Sequence, residues 1–405
     1  MRTCVGASRR VVVTWGWMTL LLLLGLAACG EDRKPKSTPP AARIEGPVVV
    51  GFVGPLTGDE ASYGTSVLTG IQAAAKRFNE QGGLGGKQIE LVALDDQSNI
   101  ESTIRKVKEL IDRKVVAILA APTGSSTFAP IHLVNESNTL FISIGSRRHL
   151  KASGPFVLRH ALSDELASDA LIEHAKTRRG WTKFALVSNA NDDFSLDLSS
   201  MFRKAVIKHQ AAVTVQSDTY DTLTGSRNFA PVVAAIKRSP ERLDAVIFTG
   251  GAAEAVALLQ TLRDGGVNLP MLGGEELHVP EFLAGGAVVE GALLYASYSA
   301  DRKTPQMDEF LKDMGKPDPD RFAALAYDTF TMLAQAIRGA GSTESAKIRE
   351  ALLVRADFLG ATGSSRFSAD NQPIKQALIF QVGKANNGSL GFLEPGSETG
   401  AVSGK

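Results

Sequence analysis

A chain of 405 residues, 44% hydrophobic and 21% charged, is long enough for two domains with separate cores. Its formal charge of +1, with no basic patch interleaved with aromatics, argues against electrostatic binding of nucleic acid, and no nucleic-acid partner is expected. The two cysteines, Cys4 and Cys29, both precede Gly30, so the body of the chain is thiol-free, which is compatible with an oxidising compartment.

Arg2, Arg9 and Arg10 precede an apolar stretch from Met18 to Leu26, and Leu26-Ala27-Ala28-Cys29 follows as a small-residue site ending in cysteine. This is the layout of a secretory signal over residues 1–28. With cysteine directly after the site, it resembles a bacterial lipoprotein signal, cut before Cys29 and lipidated on it. The alternative, a retained membrane anchor, is disfavoured because the apolar run is short for a span. Residues 29–46, rich in charge, proline and small residues, read as a flexible tether.

Val48 to Val53 is an apolar run with strand composition, and Gly54-Pro55-Leu56-Thr57-Gly58 ends it. Val67, Ile71, Ala74 and Phe78 recur at helical spacing between Tyr63 and Asn79. Gly82-Gly83-Leu84-Gly85-Gly86 stops that helix, and Ile89 to Leu94 is the next strand, ending at Asp95-Asp96. Strand, helix and strand over this distance predict a parallel βαβ unit with a right-handed crossover. Ligands in such sheets collect beyond the carboxyl ends of the strands, which directs attention to the loop from Gly54 to Tyr63. The alternation continues with a helix from Ile104 to Ile111 and a strand from Val115 to Ala120. A turn to Thr127, a helix to Glu136 and a strand from Leu140 to Ile144 follow.

The chain is expected to change lobe around Phe156 to Leu162 and to repeat the plan. The second set has helices at 166–177, 196–209, 232–237 and 253–263, and strands at 184–188, 213–215, 243–248 and from Met271. Leu293 to Tyr298 returns as a strand, Phe322 to Arg338 is a long helix, and Ala377 to Val382 is a last strand. The Gly-, Ser- and Asn-rich tail over 389–405 is expected to fray.

Gly54-Pro55-Leu56-Thr57-Gly58, Tyr63-Gly64, Asn79 with Gly82-Gly83, Asp95-Asp96, Gly124-Ser125-Ser126-Thr127 and Gly273-Gly274-Glu275 occur in this order. Together they resemble the periplasmic leucine/isoleucine/valine-binding protein family of ABC importers, over Pro47 to Lys384. The resemblance implies an α/β fold of two doubly wound, Rossmann-like lobes joined by a three-crossing hinge, the type I periplasmic binding fold. Lobe one would take 47–161 and 294–370, and lobe two 162–293 and 371–388. It also implies a small-molecule solute, an amino acid or related carboxylate, and an ABC permease of the branched-chain type as partner. A monomer held to a membrane through lipid on Cys29 is the expected state, outside the cytoplasm. A ligand-sensing module of the same fold, acting with a signalling partner, is the alternative.

By the same resemblance, the turn Gly124, Ser125, Thr127 meets the ligand's carboxylate. Strand end, helix start and hydroxyls favour an anion there on physical grounds too, although the hydroxyls could simply cap the helix. Ser146 and Arg147 match a second first-lobe contact, where arginine departs from the family's threonine. It pairs with an anion on the ligand, points out and bridges to lobe two, or is ordinary surface. Glu275 matches the acid that takes the ligand's ammonium, Tyr63 the aromatic that covers it, and Phe194 a wall that is usually tyrosine. The bare Ala252-Ala253 loop lacks a second aromatic.

Asp95-Asp96 could suggest a metal, but Asx residues after a strand are common caps, and no histidine joins them. The glycine run 82–86 follows a helix and precedes a strand, the wrong order for a phosphate loop. No serine lies in a nucleophile elbow, and neither enzyme activity nor a cofactor is expected.

Overall fold

A computed structural model describes residues 44, 46–122, 125–145, 153–220, 228–315, 319–385 and 387–395. The expected signal with Cys29, and the candidate residues Gly124, Ser146 and Arg147, lie outside them; of Ser125 only the backbone is described.

The first lobe runs β1 (Val48–Gly54), α1 (Ala61–Glu80), β2 (Ile89–Asp95), α2 (Ile100–Asp112), β3 (Ala117–Ala120), α3 (Ser125–Phe128), α4 (Ile131–Glu136), β4 (Leu140–Ile144) and β5 (Val157–His160). Its five strands form a parallel sheet in the order β2-β1-β3-β4-β5. β3, β4 and β5 are buried throughout, as strands covered by helices on both faces must be. α1 buries the expected stripe of Val67, Ile71, Ala74 and Phe78. Asn79 closes the unit: its amide bonds both the N–H of Ile89 (2.7 Å) and its carbonyl (2.9 Å), fastening the end of α1 to the start of β2.

The second lobe repeats the plan with α5 (Asp164–Arg179), β6 (Lys183–Asn189), α6 (Asp193–Lys208), β7 (Ala212–Tyr220), α7 (Ala230–Arg238), β8 (Ala245–Phe248), α8 (Ala252–Asp264), β9 (Met271–Gly273), α9 (Pro280–Leu283) and β10 (Leu293–Ala296). Strands β7-β6-β8-β9-β10 are again parallel and in the same spatial order. The chain then returns to the first lobe with α10 (Pro305–Met314), α11 (Arg321–Ala340) and α12 (Ser345–Leu353), which share that lobe's core through Phe310, Phe330 and Ile348. A small antiparallel sheet follows, β11 (Phe358–Gly360), β12 (Gly363–Phe367) and β13 (Pro373–Lys375). The last strands, β14 (Leu378–Lys384) and β15 (Leu390–Leu393), extend the second sheet antiparallel to β10.

The chain thus passes between lobes three times, after β5, after β10 and after β13. The second passage comes later than expected. β10 is hydrogen-bonded to β9 and β14 in the second sheet, so 294–296 belong to lobe two, not lobe one. β5 was missed because Arg159 and His160 break its apolar pattern, although the sheet buries both. The start of the tail is also corrected: Leu390–Leu393, expected to fray, is a paired edge strand antiparallel to β14.

α11 is the central helix of lobe one, with residues 323–334 buried without interruption. It crosses α1 where Gly70 faces the backbone of Ala323 so closely that a β-carbon would overlap the Ala323 carbonyl. Asp320 caps α11, accepting from the N–H groups of Phe322 and Ala323 at 2.9 Å each.

Candidate functional site

The carboxyl ends of the strands meet in a small cavity of about 40 Å³, lined by Gly145, Ala161, Leu162, Glu275, Ser297, Arg321, Phe322 and Leu325. Each position follows from topology. Gly145 comes directly after β4, Ala161 and Leu162 after β5, Glu275 just beyond β9, and Ser297 after β10. Arg321, Phe322 and Leu325 form the first turn of α11. Lobe one, lobe two and two of the three passages between them therefore share one cavity, at the place where open α/β sheets take ligands.

Glu275 is 4% exposed. Its Oε1 accepts from the backbone N–H of Ser297 (2.6 Å) and also from the Ser297 hydroxyl. A buried carboxylate needs such donors to remain charged, and these two fix where it points. Tyr63 stands on lobe one, 43% exposed, with its ring edge-on to Phe322 at 5.2 Å between centroids. Tyr63 thus borders the cavity through Phe322. Phe194, in the first turn of α6, is half-buried against the lobe-two core and is not among the cavity-lining residues.

Thr127 corrects the expectation drawn from its turn. It is buried, and its hydroxyl donates to the Ala121 carbonyl at 2.9 Å, so that proton holds the turn rather than facing the cleft. Asp95 and Asp96 behave as turn residues. Asp95 accepts from Leu56 N–H (2.8 Å) and the Thr57 hydroxyl (2.6 Å), pinning the loop after β1; Asp96 accepts from Ser98 N–H and the Thr103 hydroxyl. Among the described residues no group of three His, Cys, Asp or Glu could hold a metal ion, and no helix is long and apolar enough to cross a membrane.

Three features escaped the sequence reading. Arg321 and Phe322 come from a helix start that periodicity alone does not connect to a cleft. The available signal was chemical: a cation at the first position of a helix opposes the helix dipole, a cost that wants a reason. A buried polar cluster lies within electrostatic reach of Glu275. Asp328 accepts from the N–H groups of Ala361 (2.9 Å) and Thr362 (2.8 Å), and Lys375 donates to the hydroxyl of Thr362 (2.7 Å). Burial pulls the Lys375 ammonium down to about 8 against the upward pull of Asp328 and Glu275, and burial likewise pushes the Asp328 carboxyl up. Beside Glu275, His278 lies between the rings of Phe380 (4.8 Å) and Phe392 (4.3 Å). Burial lowers it to about 4, with Glu275 pulling upward and Arg321 downward.

Residues 47–388 match the family described as periplasmic binding protein. An amino acid binding protein of Pseudomonas aeruginosa is 27% identical over 317 residues, covering 75% of this chain and 81% of that protein. Among solved structures, a putative branched-chain amino acid ABC transporter protein from Rhodospirillum rubrum superposes with a TM-score of 0.76 at 23% identity, over 86% of this chain and all of its own. A solute binding protein of an ABC transporter from Rhodopseudomonas palustris HaA2, in complex with p-hydroxybenzoic acid, gives 0.67 at 18% identity over 86% and 96% of the two chains. At these identities the structural likeness is one of fold.

Proposed function

Because this chain belongs to the periplasmic binding protein family, we propose that it is the extracytoplasmic solute-binding component of an ABC importer. Its cleft takes an amino acid or a related carboxylate. The observation that carries this reading is the shared cavity: residues of both lobes and of the passages between them line one small space that contains a buried, oriented carboxylate. Glu275 receives the ligand's ammonium in a charge-assisted bond. Tyr63 and Phe322 cover its apolar part. The lobes close on the solute by a hinge motion and present it to a permease of the branched-chain type.

Residues 1–28 serve as the export signal, Cys29 carries the lipid, and 30–46 tether a monomeric body to the membrane. The names of similar proteins support both an amino acid and an aromatic acid as ligand, so both belong in the test. Thermal-shift screening of the common amino acids, benzoate and p-hydroxybenzoate, then calorimetry, will give at least one saturable one-to-one ligand. X-ray scattering will show a smaller radius of gyration when it is bound. A flat screen with unchanged scattering would overturn the proposal. A permease and ATPase encoded beside this gene favour transport, and a sensor kinase in their place favours signalling.

A further inference from the structure

Arg321 is the cation of the cavity, and nothing in the described structure pairs with it. It opens α11, where its charge lies at the positive end of the helix dipole and lowers stability instead of adding to it. The guanidinium rests over the Phe322 ring, 4.9 Å from the centroid, and Phe322 is in turn braced by Tyr63. That stacking restrains the orientation of the guanidinium and leaves its five N–H donors uncommitted: among the described residues it makes no side-chain hydrogen bond and no ion pair. Its charge is nonetheless felt at His278 in lobe two. A half-buried guanidinium in a cleft, stacked on one ring but bonded to no carboxylate among the described residues, is placed to accept one from a ligand.

Across the same cavity stands Glu275, held by Ser297. One fixed cation on lobe one and one fixed anion on lobe two make a space that complements a zwitterion. A dianion would meet Glu275, and a simple amine would meet Arg321. The anion subsite expected at the α3 turn is weakened, because the Thr127 proton is committed to Ala121. Resting on the reading that this cleft holds the transported solute, we infer that Arg321 receives the ligand's carboxylate while Glu275 takes its ammonium. The solute class is then a zwitterionic amino acid whose two charged ends bridge the lobes. Arg321 presents a fork matched to a carboxylate, so the contact is bidentate and lysine is a poor substitute.

The test crosses the ligand's carboxylate with the arginine. Leucine, phenylalanine and glutamate are titrated into the full chain and its R321A and R321K variants by calorimetry. Leucinamide, phenylalaninamide, isoglutamine and glutamine are titrated beside them. For the wild type, a free acid is expected to bind roughly 10- to 100-fold tighter than its amide, the range for hydrogen bonds to a charged group. In R321A that preference should shrink to within about threefold, with R321K restoring only part of it. Glutamate against isoglutamine and glutamine then tells an α-carboxylate from a side-chain carboxylate at Arg321. An undiminished preference in R321A would overturn the assignment while leaving the solute-binding reading intact. If the wild type binds none of these amino acids but binds benzoate or p-hydroxybenzoate, the zwitterion class is overturned and the transport reading stands. Binding of nothing overturns both. Unliganded R321A should melt no lower than the wild type, which separates a ligand contact from a structural one.

Discussion

The carboxylate of Glu275 and the backbone N–H of Ser297 are joined at 2.6 Å, so the acid of the cavity is oriented by the very residue at which the chain leaves lobe two. Charge and position are therefore separable. E275Q keeps the shape and a hydrogen-bonding oxygen but removes the charge. It is expected to weaken an amino-acid ligand by roughly 2–5 kcal/mol, the scale for truncating one side of an enclosed charge pair, with little change in melting temperature. Calorimetry on the tightest amino acid from the screen decides it, and equal affinity in E275Q would remove Glu275 from the ammonium role.

The buried cluster of Asp328 and Lys375 carries a stability prediction. Removing the Asp328 carboxylate leaves Lys375 buried without its counter-charge, so D328A should lose roughly 3–5 kcal/mol. Replacing both, as D328A/K375M, removes the uncompensated charge and should recover part of the loss. Urea unfolding of the two variants gives the comparison; equal losses in single and double variants would show that packing, not charge, is at stake.

His278 supplies a pH dependence with a definite sign. Its folded-state value of about 4 lies below the ordinary 6.5, so the unfolded chain binds the extra proton first. Stability from this group is complete above pH 6.5 and is lost as pH falls towards 4, by roughly 3 kcal/mol at most for a shift of this size. The groups around it, Glu275 and Asp301 against Arg321, partly cancel. H278F should keep the ring stack between Phe380 and Phe392 and flatten this part of the acid limb of a stability profile measured by chemical unfolding from pH 4 to 7. An unchanged acid limb would assign the loss to other groups.

Gly70 gives a packing prediction. An added methyl would overlap the carbonyl of Ala323, which is backbone and cannot rotate away. G70A must push α1 from α11 and should cost roughly 1–3 kcal/mol despite alanine's better helix propensity. A thermal midpoint equal to the wild type would show that the helices separate freely.

The parallel core was readable because each β3 or β4 strand is a short apolar run and α1 repeats apolar residues at helical spacing. β5 was not, since Arg159 and His160 look exposed in sequence and are buried only by distant partners; His160 meets Thr329 of α11 at 2.7 Å. The small sheet β11–β13 was hidden by strands of three to five residues with few apolar side chains. In the cavity, Glu275 was legible because strand, glycines and acid are neighbours in sequence. Arg321 and Ser297 are close to it only through the fold, at separations no periodic pattern records. Thr127 shows the opposite error, a hydroxyl at a promising helix start whose proton serves the turn itself.

Ala161 and Leu162 follow β5 directly and Ser297 follows β10, so part of the cavity wall is built from the segments that pass between the lobes, the segments that bend in the proposed closure. Points near an axle travel least when the arms swing. A solute resting there touches these residues in open and closed forms alike, and contacts equal in both states cannot favour either. Substitutions at 161 or 162 should thus alter how firmly the solute first lodges, whereas Arg321 and Glu275, one from each lobe and the latter set by Ser297, govern whether the proposed closure follows.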